Sequence, residues 1–142
     1  MADYKISWLV ADHVVMLQLF GSYSAELLEE QTRNVAEHIS QGTAPVYLIV
    51  DTTGATSMPK NLKEPIGILG SHRLNHKTRS VIFITDNSLF RFIGNVAGKF
   101  IGVEFRAVES LEEAIETLLR IDPSLETLRE IDLTVYREPS AS

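Results

Sequence analysis

The sequence predicts an α/β fold: a mostly parallel sheet of about five strands, opened by an antiparallel hairpin and covered by about four helices. Three observations predict it. Short apolar runs such as Val46-Tyr47-Leu48-Ile49-Val50 and Val81-Ile82-Phe83-Ile84 read as strands buried on both faces. Stretches of helical periodicity separate those runs, as parallel strands require. The first two apolar runs are too close together for a helix and form a hairpin instead.

In order, Ile6 to Val10 is the first strand and Asp12-His13 its turn. Val14 to Phe20 is the second strand, closing at Gly21. Ser22 or Ser24 caps a first helix, whose buried face runs through Leu27, Leu28, Gln31, Val35, Ala36 and Ile39. Glu26, Glu29 and Glu30 favour its positive end, and Gly42 ends it. The central strand then starts at Pro45 and stops at Asp51-Thr52-Thr53-Gly54, where a turn is expected. A second helix spans about Lys60 to Leu74, kinked or started by Pro65. Arg79 to Thr85 is a strand, Leu89 to Ile101 a third helix, Val103 to Val108 a last strand and Leu111 to Ile121 a fourth helix. Ser110 and Glu113 have the spacing of a capping box, and Pro123 stops that helix. The tail is weakly helical, then strand-like over Ile131 to Tyr136.

The 142 residues fit one domain, with a core from about 6 to 122 and an extension over 123–142. Cysteine is absent, which excludes thiolate chemistry and disulfides. The first residues lack the order of a signal peptide, and no apolar run approaches the ~18 residues of a membrane span. A cytoplasmic location is expected. Net charge is −6, yet Lys60 to Lys99 holds seven Lys/Arg against two acids. That segment is either a solvated face or a surface that steers an anionic partner. Nucleic acid is not an expected partner, since the overall charge has the wrong sign and no binding motif occurs.

The strand Val14–Phe20 closing at Gly21, the run Leu48-Ile49-Val50-Asp51-Thr52-Thr53-Gly54-Ala55-Thr56 and the closing stretch Glu109 to Leu119 occur in an order that resembles the STAS domain. The resemblance is to the fold of bacterial anti-sigma-factor antagonists, and more closely to its SpoIIAA-like branch. It covers about Ile6 to Asp122. It implies a regulatory protein-interaction module without catalysis. The branch is also similar in fold to lipid-carrying domains, which implies, as the alternative, a carrier or sensor of a small apolar or lipid-like ligand. Phosphorylated members of the family carry an Asp-Ser-Ser-Gly run. Aligned on Asp51, that run falls on Pro59-Lys60-Asn61-Leu62, so the serine switch does not carry over. Thr53, Thr56 and Ser57 are alternative acceptors, each read more simply as a turn or cap residue.

No catalytic residue, cofactor or metal is expected. There is no Gly-x-Ser-x-Gly elbow or phosphate loop, and Asp51 has no base at readable spacing. His72 and His76 share a helix face but lack a third ligand; His13 reads as a turn residue and His38 as exposed. The third helix is apolar over more than one stripe, through Leu89, Phe90, Phe92, Ile93, Val96, Ala97, Phe100 and Ile101. Either its faces meet the sheet and its neighbours, or it offers a surface to a partner, a second subunit or a lipid. The expected partner or ligand site comprises Thr53, Ser57, Lys60, Lys63, Leu89, Arg91, Phe92, Val96, Lys99 and Phe100. Lys60, Lys63 and Arg91 would steer an acidic or phosphate-like group. A homodimer is expected, from that helix and from an alternating tail able to add to a sheet edge.

Overall fold

The structure, a computed structural model, describes residues 3–22, 25–57, 77–85 and 104–131. Strand β1 (Asp3–Val10) pairs antiparallel with β2 (Val14–Ser22) around Ala11-Asp12-His13. Asp12 takes a φ of 69°, a left-handed conformation that Asp tolerates, and the His13 amide donates to Val10 O at 3.0 Å. Gly21, also left-handed at φ 80°, lies near the end of β2.

From β2 onward the sheet is parallel. β3 (Val46–Ser57), β4 (Thr78–Ile84) and β5 (Glu104–Val108) follow in spatial order β1-β2-β3-β4-β5. Alternation sorts the side chains into two cores. Val15, Leu17, Leu19, Val46, Leu48, Val50 and Val81 pack with Val35 and Ile39 of α1 (Ala25–Ser40). Val14, Met16, Tyr47, Ile49, Ile82, Ile84 and Val108 pack on the other face with Leu111, Ala114, Ile115, Leu118 and Leu119 of α2 (Leu111–Ile121). Among the described residues the helices are α1, α2 and a 3₁₀ helix, Pro123–Glu130. None of them is long and apolar enough to cross a membrane.

α2 begins as its sequence requires. The Ser110 hydroxyl accepts from the Glu113 amide at 3.1 Å, while the Glu113 carboxylate takes the amide of Glu109 rather than that of Ser110. At its other end, Asp122 is both the C-cap of α2 and the N-cap of the 3₁₀ helix. The end of α1 is closed by a distant side chain. Lys77 Nζ donates to Ser40 O and Gly42 O, each at 2.9 Å, placing a cation at the negative end of the helix.

Several expectations change. The central strand does not stop at Asp51; it runs on to Ser57 alongside Gly21 and Ser22. The pairing steps from Gln18↔Asp51 to Phe20↔Gly54, so β3 accommodates an extra residue as a bulge. The core passes Asp122, because Leu125 and Leu128 of the 3₁₀ helix are buried within it and Ile131 packs against it. His38 is half-buried rather than exposed, with Nδ1 2.9 Å from Asn34 O. The helices expected over 60–74 and 89–101, and most of the strand-like tail, lie outside the described residues.

Gly54 is required by its surroundings. A Cβ there would lie 2.6 Å from Phe20 Cδ1 and 2.7 Å from the carbonyl oxygen of Leu19. Gly54→Ala is expected to destabilise the protein by about 1–3 kcal/mol, the usual cost of overpacking. Urea denaturation of wild type and variant measures it; equal midpoints would show that the bulge yields freely.

Candidate functional site

At the carboxyl end of the central strand the sheet becomes polar. Gln18 and Asp51 are register partners on the face that α2 covers further along, and both are buried, as are Thr52 and Thr85. Asp51 Oδ1 accepts from the Thr53 amide at 2.9 Å and from the Thr53 hydroxyl at 2.6 Å. Thr52 Oγ1 donates to Ile84 O at 2.8 Å, tying the bulge to β4. Asp51 therefore holds the local backbone, as its position predicts, but at a bulge within a strand rather than at a turn.

Of the ten expected site residues, Thr53 is exposed with its hydroxyl committed to Asp51, and Ser57 is the last residue of β3, paired with Ser22. Lys60, Lys63, Leu89, Arg91, Phe92, Val96, Lys99 and Phe100 lie outside the described residues, as do His72 and His76. Within the basic segment, Lys77 caps α1 and Arg79 contacts Tyr47. No group of three metal-ligating side chains occurs among the described residues.

A second constellation lies under the end of α2. Tyr47 is fully buried, its hydroxyl donating to Asp122 Oδ2 at 3.1 Å and accepting from the Arg79 guanidinium at 3.4 Å. Asp122 Oδ1 receives the amide of Ser124 at 3.1 Å and its hydroxyl at 2.5 Å. Burial, then the Asp122 hydrogen bond and charge, push the Tyr47 phenol above its ordinary value. The Ser124 hydroxyl, assisted by its amide, Tyr47 and Arg79, holds Asp122 below the usual carboxylate range against some desolvation.

Beside this triad is a cavity of about 660 Å³ lined by Arg79, Arg106, Ala107, Val108, Thr117, Arg120 and Ile121. Arg106 faces it because it shares the pleat side of Val108, two residues on in β5. Thr117, Arg120 and Ile121 share one face of α2 by their i, i+3, i+4 spacing. Sequence reasoning missed this cluster, since its arginines belong to three elements. The one available signal was the charge of Arg106 inside an otherwise apolar-leaning strand.

No family model matches the chain, and no curated protein matches it in sequence. Solved structures do match. A protein of the DUF3478 family from Shewanella loihica, described as having a SpoIIAA-like fold, is 16% identical with a TM-score of 0.62, covering 83% of this chain and 95% of its own. The anti-sigma factor antagonist SpoIIAA in its unphosphorylated form is 16% identical at TM-score 0.53, over 82% of this chain and 97% of that one. SpoIIAA in its phosphorylated form, described as a Bacillus cell fate determinant, matches at the same identity and TM-score, over 82% and 99%. The chain thus has the SpoIIAA-like fold that its sequence resemblance implied.

Protonation should act through the Tyr47–Asp122 pair with opposite signs at the two ends of the pH scale. Tyr47 titrates higher when folded, so its contribution is intact below the ordinary tyrosine value near 10 and falls as pH rises through the folded value. Asp122 titrates lower when folded, so its contribution is present above the ordinary value of 3.8 and is lost as pH falls through the folded value. Tyr47→Phe is expected to cost about 1 kcal/mol at neutral pH and to flatten the alkaline loss of stability. Denaturation curves from neutral pH to about 11 test this, around the phenol's ordinary value. An unchanged alkaline slope in the variant would mean that Tyr47 does not control it.

Proposed function

We propose that this chain is a regulatory module of SpoIIAA-like type that acts by binding a protein partner and not by catalysis. The observation that carries this reading is the extent of the structural likeness. The chain covers 97% of the anti-sigma factor antagonist's length, so the match spans that domain and not one motif of it. The partner surface lies at the carboxyl ends of the strands. Thr53 and Ser57 border it, Lys60, Lys63 and Arg91 attract an acidic partner, and Leu89, Phe92, Val96, Lys99 and Phe100 hold contact. The fixed Asp51–Thr53 bulge supports this placement, because it gives that end of β3 a defined shape. Self-association into a homodimer belongs to the same reading.

The mode of control differs from that of the phosphorylated family members. Pro59-Lys60-Asn61-Leu62 stands where their Asp-Ser-Ser-Gly run would align, and neither Lys60 nor Asn61 is a phosphate acceptor. Incubation with an anti-sigma-type serine kinase and ATP is expected to label nothing between Asp51 and Leu62. A peptide map with stoichiometric phosphate on Ser57 would mean that the switch has moved and is not lost. Native mass spectrometry of freshly purified protein should show a dimer carrying no apolar small molecule. A retained apolar ligand would replace the partner reading with that of a carrier.

A further inference from the structure

Among the described residues β1 is the last strand on its side of the sheet, with β2 pairing along one edge only. A bare edge presents a row of backbone donors and acceptors and invites uncontrolled pairing. Lys5 and the pairing irregularity between Trp8 and Val10 guard it only in part, and β1 contains no proline. Its apolar side chains are also incompletely covered. Ile6 and Trp8 are half-buried against the α1 core, and Leu9 and Val10 against the α2 core. The chain itself arrives beside this strand. The 3₁₀ helix lies against β1, and Ile131, which follows it, packs on the same core as Leu9 and Val10. Ile131 is extended, with φ −76° and ψ 134°, so the chain leaves the helix in a geometry that a strand can continue. Leu133 and Val135 carry on the alternation that Ile131 starts, with Asp132, Thr134 and Tyr136 between and after them.

We propose that the segment Asp132 to Tyr136 docks on the outer edge of β1 as a further strand of the same chain. Leu133 and Val135 then lie on the side of Ile131 and cover Leu9 and Val10, while the backbone of the segment takes up the outward amides and carbonyls of β1. Thr134, Val135 and Tyr136 are strand-favouring residues, and Pro139, which has no amide to donate, lies beyond the paired stretch. Reach is not limiting. Residues 132–142 extend to about 36 Å, and the 3₁₀ helix already lies against β1. Tethering selects this segment over a second copy of β1. A short tether holds it at an effective concentration on the order of mM, well above that of a second molecule in dilute solution. The docked segment closes an edge that would otherwise be a template for another chain. It is independent of the partner surface proposed above, and it leaves that surface, not β1, for a second subunit.

Residue-resolved amide exchange, followed by NMR on the full chain, tests the proposal. An edge strand leaves alternate amides unprotected, whereas a strand paired on both sides protects successive ones. Successive amides from Tyr4 to Trp8 are expected to be protected, and to stay so on dilution. Leu133→Ser with Val135→Ser should speed exchange of alternate β1 amides on the order of tenfold, while the amides of β2 and β3 keep their protection. Val135→Pro, which removes a donor from the docked segment and leaves the rest of the chain untouched, should have the same effect. Unprotected alternate amides in β1 of the wild type would overturn the proposal, whatever the variants do. So would protection that neither variant alters. Protection that falls on dilution would overturn it as well and assign the edge to a second copy.

Discussion

Burial of β3 on both faces is the constraint on which the rest of the structure depends. Val46, Leu48 and Val50 face α1 while Tyr47 and Ile49 face α2, and all five are buried. No side of this strand is left for water, so every neighbouring element must bring an apolar surface to it. β2 and β4 flank it in parallel, and α1 and α2 cover its faces. A slip of one residue would exchange the two faces and carry the Tyr47 hydroxyl away from Asp122. The polar contact thereby reinforces a register that apolar packing already sets.

That double burial also decides where polar groups can stand. Along Val46–Val50 the Tyr47 hydroxyl is the one side-chain polar group, and it is satisfied by Asp122 and Arg79. Beyond Val50 the strand turns polar at once, and Asp51, Thr52 and Thr53 each have a partner within the bulge or on β4. A buried polar group without a partner is costly, and Tyr47, Asp51 and Thr52 each have one.

Charge divides the molecule in a way that the counts along the chain do not convey. The segment from Lys60 to Lys99 is basic in sequence, but Lys77 within it closes the end of α1 and Arg79 leans on Tyr47. Arg79 then joins Arg106 and Arg120, which lie outside that segment, at a cavity on the far side of the sheet from α1. Among the described residues the lining of that cavity holds these three arginines and no acid, with Asp122 facing Arg79 beside it.

The sequence by itself determined the class of fold and the order of its elements. Apolar runs too short for helices, periodic stretches between them and the Ser110 and Pro123 stop signals depend on local spacing, and local spacing is what a sequence displays. Tertiary structure alone decided the length of β3, which local turn residues said should end at Asp51. Pairing with Gly21 and Ser22 carries it to Ser57, through a bulge that only a glycine beneath Phe20 admits. It alone drew Leu125 and Leu128 into the core, where they cover a face left open by α2. It alone brought Arg79, Arg106 and Arg120 together, because β4 pairs with β5 and α2 packs on the sheet through apolar side chains, neighbours that no spacing along the chain records.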